Sequence, residues 1–236
     1  MKVALCLAGL TGGTSESKNG QGDPIDPKII FNNFKNHVLD KNNIDVFIHS
    51  WSVENKKILN ELYKPKLSIF EPQINFHSDF RQSITRSRWY SAKKSIELKT
   101  LYETQHSIKY DMVMLCRLDL MWLSDIIFEN YNPFNFYATH WNGDGNNKLG
   151  PFDKRNLNTG SGFYDTWFFS NSNYMNGLAN LYDNIDNLLK IGIPLSNHSL
   201  SYAHIKTLNY PISYTMYRGY DCEVYRRYKN PNWKLQ

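Results

Sequence analysis

The sequence predicts an α/β fold, a mostly parallel central sheet flanked by helices. Three observations carry this. The runs VALCLAG, DVFIHS and MVMLC are apolar almost throughout rather than alternating, as strands covered on both faces are. Between them lie segments with apolar residues at helical spacing, and Gly, Pro and Asn mark the changes of element. Strands alternating with helices over the first half of the chain imply right-handed crossovers and parallel pairing.

Residues 2 to 8 form the first predicted strand, followed by a Gly-, Ser- and Asn-rich loop over 11 to 24. Pro27 opens a helix in which Ile30, Phe31, Phe34, Val38 and Leu39 share a face. Ile44 to His49 is a second strand, ENKKILNELYKP a helix stopped by Pro65, and KLSIFEP a third strand. Pro72 to Arg88 reads as irregular, and WYSAKKSIELKTLYETQ as a long helix. YDMVMLCRLDLMW is the most strand-like segment, with a short helix beginning near Ser124. PFNFYATHW predicts a strand, Gly143 to Gly162 a polar loop, YDTWFFSN a strand, NYMNGLANLYDNIDNLLK one helix and SLSYAHIKTL another. An aromatic, basic tail closes the chain. The expected organisation is a single domain over 1–236.

Hydrophobic residues make up 41% of the 236 and charged residues 21%, a globular balance. The net charge of +5 favours anionic partners without the density of a nucleic-acid binder. Cys6, Cys116 and Cys222 are odd in number and lack CxxC spacing, which points to a reducing compartment and no structural zinc. No run approaches the roughly 20 apolar residues that span a bilayer. Lys2 with VALCLAGL imitates a short signal peptide but lacks an A-x-A-like site, and the expected location is cytoplasmic.

Arg117 and Asp119 sit at the carboxyl end of the central strand, where ligands bind in open α/β sheets. Two apart on a strand, they would share a face and address one ligand, the acid holding a divalent cation and the Arg a phosphate. A structural ion pair is the equal alternative. His49 and Trp51 end the second strand on the same edge as Ala8, Gly9, Leu10 and Thr11. Trp51 could flank a base or cover the core. Asp165 is the best candidate general base, or else a loop brace. Asp144 and Asp153 look like turn residues and Thr14 to Gly22 like a flap, while Arg86 and Arg88, in the irregular approach to the helix, could meet a diphosphate or be solvated loop arginines.

The blocks KVALCLAGL, DVFIHSW, YSAKKSIELKTLYE, YDMVMLCRLDL and YDTWFFSNSNYM, in this order, resemble a group of small glycosyltransferases of the GT-A type, found in bacterial polysaccharide clusters and in large viruses. The likeness covers most of residues 2 to 205. It implies a GT-A-like, Rossmann-like sheet whose first strand and loop hold the nucleotide. It also implies an acid-containing element that binds metal and diphosphate; here the R-x-D of Arg117, Leu118 and Asp119 takes the DxD place, with Arg117 replacing the first acid. Lys94 is implied to reach the nucleotide-sugar, and a late histidine, His204 rather than His198, to join Asp119 on Mn²⁺ or Mg²⁺.

The expected function is glycosyl transfer from a nucleoside diphosphate sugar, UDP- or GDP-linked, to a glycan or lipid-linked saccharide in polysaccharide biosynthesis. Asp119 and Asp165 would act at the reacting centre, and the tail could touch a membrane surface. A nucleotidyltransferase and a non-catalytic carbohydrate-binding module are the rivals.

Overall fold

The computed structural model describes residues 1–12, 25–140 and 162–225. In chain order the elements are β1 (Lys2–Gly9), α1 (Pro27–His37), β2 (Asn43–Ser50), α2 (Lys56–Tyr63), β3 (Leu67–Phe70), α3 (Phe80–His106), β4 (Met112–Arg117) and β5 (Leu120–Trp122). Then follow β6 (Phe136–Ala138), β7 (Trp167–Ser170), α4 (Ser172–Ala179), α5 (Leu181–Lys190), α6 (Asn197–Thr207), β8 (Ile212–Tyr214) and β9 (Cys222–Val224).

Seven strands form one sheet in the order β3-β2-β1-β4-β7-β6-β8, drawing on both sides of residue 125. The first four are mutually parallel. β7 runs antiparallel to both β4 and β6, and β8 is parallel to β6. The sheet is therefore mostly parallel, as expected, with one reversed strand. Because β2 lies on one side of β1 and β4 on the other, the chain reverses its winding between β1 and β4, which opens a crevice at their carboxyl ends.

Alternation along β1 splits the core in two. Val3, Leu5 and Leu7 face a layer containing Ile30 and Phe34 of α1 and Trp122 of β5, while Ala4, Cys6 and Ala8 face α3. Those three residues are small, which lets α3 come close. The helix meets them with an equally small face: Ser87, Ser91 and Ser95, spaced four apart, are all buried.

Residues 80–88 are helical although their sequence lacks the apolar pattern of a helix. Their buried positions are Thr85 and Ser87, so the apolar signal is missing although the helical period is present. The helix starts at the cap Asp79, whose carboxylate accepts from the Gln82 N–H at 2.8 Å, and ends at Ser107 with φ 52°. Arg86 and Arg88 are therefore helical.

Other expectations also change. The central strand stops at Arg117, the chain turns, and Leu120–Trp122 leaves the main sheet to pair with β9. Near Ser124 a 3₁₀ turn over Phe128–Asn130 replaces the expected helix. The single helix after β7 is two, divided at Asn180. Part of the aromatic, basic tail is the strand β9, one of the two readings open to it, and β8 adds a strand at Ile212–Tyr214 that the sequence pattern does not predict. Thr14 to Gly22, Asp144, Asp153 and the last residues of the tail lie outside the described residues. All three cysteines are buried and free. Among the described residues no helix is long and apolar enough to cross a membrane.

One buried charge joins α3 to α4. Lys99 is fully buried, and its three ammonium protons reach Glu103 Oε2 at 2.9 Å, Ser172 Oγ at 2.6 Å and Asn176 Oδ1 at 2.7 Å. Glu103 also accepts from the Tyr110 N–H and the Ser172 hydroxyl. Removing one partner strands the other charge in the core. Lys99→Met should lower the unfolding free energy by about 3–5 kcal/mol, read from the urea midpoint, and Lys99→Met with Glu103→Leu should recover part of it.

Candidate functional site

The carboxyl end of β1 lies between its neighbours: Ala8 is in register with His49 of β2 and with Arg117 of β4. Gly9 leaves the strand at φ +102°, a conformation that suits glycine alone. Its N–H donates to Ser91 Oγ at 2.8 Å, and its carbonyl accepts from the Trp51 N–H and the Ser50 hydroxyl. Thr11 is fixed likewise, its N–H donating to Ser52 Oγ and its hydroxyl accepting from Asn55. The backbone expected to serve a base or ribose is thus largely committed at Gly9 and Thr11. Ala8 is buried with its carbonyl toward the Leu118 N–H, and Leu10 is half-buried at the mouth.

His49 is a brace. Its Nε2 lies 2.9 Å from Glu71 Oε1 and its Nδ1 2.8 Å from Ser91 Oγ. The carboxylate can only accept, so Nε2 carries the proton and the Ser91 hydroxyl donates to Nδ1. Burial lowers the pKa of the ring, and the hydrogen bond to Glu71 opposes that. Trp51, 5% exposed, stacks on Tyr90 at 5.5 Å, with Phe76 against both rings and Tyr182 against Tyr90. This wall is packed protein rather than an open base slot. Lys94 borders it, its ammonium 5.5 Å from the Tyr90 ring and 3.0 Å from Glu97.

The charged cluster lies at the end of β4. Arg117 donates from Nε to Asp119 Oδ1 at 2.7 Å and from Nη2 to Asp119 Oδ2 at 2.5 Å. Asp119 stands in the turn after the strand, so the pair is made by a bidentate fork and not by two positions on one strand face. Burial would lower the pKa of Arg117, but the Asp119 carboxylate outweighs it and raises it. Arg88 enters from α3 with its side chain 9% exposed and donates from Nη2 to the Asp165 carbonyl at 2.7 Å. Its Nε and Nη1 are buried without a hydrogen-bond partner among the described residues, and burial pushes its pKa down to about 10.

Asp165, in the turn before β7, faces this arginine and His198. Burial alone would raise its pKa; His198, Arg88 and Arg117 together lower it. His198, in the first turn of α6, places Nδ1 2.8 Å from the Phe163 carbonyl and 3.5 Å from Asp165 Oδ1.

Arg117, Asp119 and Asp165 thus meet, joined by Arg88 and His198. Arg86 instead pairs with Asp186 of α5. His204 belongs elsewhere: Nε2 donates to the Gly177 carbonyl at 2.9 Å and Nδ1 accepts from Asn184 Nδ2 at 3.3 Å, in the packing of α4, α5 and α6. Both nitrogens are used, which leaves no lone pair for a cation and removes His204 from the metal site. Asp119 has both oxygens on Arg117. Among the described residues no group of three His, Cys, Asp or Glu could hold a metal ion.

Arg88 is the residue that sequence reasoning undervalued. The serines at 83, 87, 91 and 95 kept helical time through the stretch read as a loop, and that spacing could have placed Arg88 on α3. No protein-family model matches the chain, and no curated protein matches it. The function must come from the site.

Asp165 gives a pH test. Its folded pKa lies below its unfolded value, so its stabilising contribution is full above about pH 4 and is lost as pH falls through the folded value. Asp165→Asn should be less stable than wild type at pH 7, and thermal denaturation should show the difference closing toward pH 3.

Proposed function

We propose that this protein is a glycosyltransferase that moves a sugar from a UDP- or GDP-linked donor to a glycan or other carbohydrate acceptor. The observation that carries the reading is the cluster of Arg88, Arg117, Asp119 and Asp165 at the carboxyl ends of strands in a sheet whose winding reverses between β1 and β4. That crevice is where open α/β sheets take nucleotides. The order of the sequence blocks described above supports the same reading.

The chemistry follows from charge. When the bond between the anomeric carbon and the diphosphate breaks, negative charge grows on the departing phosphate oxygen, and preorganised donors there lower the barrier. Arg117 is aimed by its fork on Asp119, which uses Nε and one face of Nη2 and leaves Nη1 as a donor edge. Arg88 adds a second guanidinium, whose Nε and Nη1 have no partner among the described residues. An acceptor hydroxyl beside the cluster meets Asp165 and His198, the groups able to take its proton. No step here is routed through a metal; Asp119, held by the Arg117 fork, is the carboxylate that would help hold Mn²⁺ or Mg²⁺ against the diphosphate.

A thermal-shift screen of UDP, GDP and their monophosphates, with Mn²⁺ or with EDTA, tests this. UDP or GDP at about 100 times its Kd should stabilise by about 2.7 kcal/mol, and the shift should be larger with Mn²⁺ than with EDTA. Arg117→Lys should weaken that nucleotide at least tenfold, since an ammonium cannot reproduce the fork. Absence of a shift with every nucleoside diphosphate overturns the reading. A response to nucleoside triphosphates alone would favour nucleotidyl transfer.

A further inference from the structure

We propose that the first turns of α3 carry the base of the nucleotide donor, the ring of Phe80 stacking on its face and Ile84 lying under the ribose. The proposal rests on the glycosyl-transfer reading above and adds to it the contact that holds the nucleoside.

The helix overhangs the sheet. α3 runs antiparallel to β1: Ser91 meets the Gly9 N–H at the strand's carboxyl end, whereas Glu103, near the other end of the helix, accepts from the Tyr110 N–H just before β4 begins. Residues before Ser91 therefore continue past the strand ends, over the crevice. Phe80 stands about 16 Å beyond the level of Ser91, and Ile84 about 10 Å beyond it.

Periodicity sets the direction. Eleven residues separate Phe80 from Ser91, close to three turns, and seven separate Ile84 from Ser91, close to two. Both side chains thus leave the helix on the side that, further along, packs on β1. Ser91 and Ser95 are buried on that side. Phe80 and Ile84, past the sheet edge, are 77% and 44% exposed, and no large hydrophobic side chain among the described residues is more exposed than Phe80. A single exposed apolar residue is ordinary, but two in a row over a crevice mark a ligand face.

The platform is rigid. Residues 73–76 run alongside it: Gln73 donates to Ser87 Oγ at 3.0 Å, and Ser83 Oγ accepts from the Phe76 N–H at 3.1 Å while donating to Asn75 Oδ1 at 2.7 Å. Arg86 ties the same turns to Asp186 of α5. The ring is presented by backbone that is already ordered, so stacking on it costs little further ordering.

Position and charge select the base as occupant. Phe80, Ile84 and Arg88 follow one another at four-residue steps, so the apolar row runs into the charged cluster. A ligand matched to that row carries its anion at one end and a flat apolar body at the other, which is the layout of a nucleoside diphosphate. Trp51 does not serve, because Tyr90 and Phe76 pack against its ring. A phenyl face takes uracil or guanine alike, since stacking reads no base edge.

The test titrates the full chain with UDP, GDP and inorganic pyrophosphate by calorimetry. Phe80→Ala should weaken the nucleotide that binds wild type by about 5- to 150-fold and change pyrophosphate binding less than about twofold. Its thermal midpoint should stay within about 2 °C of wild type, because the ring is exposed. Phe80→Trp should keep the nucleotide affinity, and that nucleotide, but not pyrophosphate, should quench the added indole emission. Three results overturn the assignment and leave glycosyl transfer standing: nucleotide affinity unchanged in Phe80→Ala, pyrophosphate weakened as much as the nucleotide, or a raised acceptor KM with unchanged nucleotide affinity. A wild type that binds no nucleoside diphosphate overturns both.

Discussion

The hydroxyl of Ser91 holds together the two halves of the nucleotide end of this fold. It accepts the Gly9 N–H as β1 leaves the sheet, and it donates to His49 Nδ1 at the end of β2, whose Nε2–H then reaches Glu71 just beyond β3. Three parallel strands are thereby registered at their carboxyl ends by one helix residue. A turn at φ +102° has little intrinsic preference to sit in one place, and here every polar group of Gly9 has a partner. A bulkier side chain at position 91 would push α3 away from Ala8 and take that registration with it.

The same close approach delivers Arg88. One turn of helix before Ser91, it projects where β4 ends and where the turn before β7 brings Asp165. The reversed direction of β7 matters at this point. An antiparallel neighbour places its amino-terminal turn beside the carboxyl end of β4, so Thr166 can accept from Arg117 and Asp165 can face the arginines. A parallel strand in that position would have put the turn at the other edge of the sheet. The single exception to the parallel pattern is therefore what completes the charged cluster.

The strands of the first half were legible because buried parallel strands are apolar throughout, and β1, β2 and β4 fall where VALCLAG, DVFIHS and MVMLC predict them. Less was legible where the physics departs from apolar patterning. The first turns of α3 bury Thr85 and Ser87, and the break after Arg117 follows from a pairing of β5 with β9 about a hundred residues away. Arg117, Asp119 and Asp165 are each legible in the sequence, and so is an ion pair between Arg117 and Asp119, two residues apart. That Asp165 would meet Arg88 and His198 is not, because those are contacts across the chain and no local spacing encodes them. His204 shows the converse: a histidine of the expected type, in a late helix, that the packing of three helices consumes entirely.

Charge balance decides what such a cluster can be. Two arginines brought together in a largely buried place repel each other, and each lowers the worth of the other's charge. Asp119 and Asp165 compensate, one for each guanidinium, yet they do so unequally. Arg117 is matched by a bidentate fork, whereas Arg88 meets Asp165 through the backbone carbonyl at 2.7 Å and only distantly, at 3.9 Å, through the carboxylate. Among the described residues two buried donors of Arg88 have no partner, which costs about 1–3 kcal/mol each unless something accepts from them. The Asp165 carboxylate, 3.9 Å from Arg88 Nε, does not supply that acceptor. Asp165 is instead held by its place beside His198, so the carboxylate serves the imidazole and Arg88 keeps donors in reserve. An oxygen-rich anion satisfies both at once: it takes the spare hydrogen bonds of Arg88 and leaves Asp165 to its histidine.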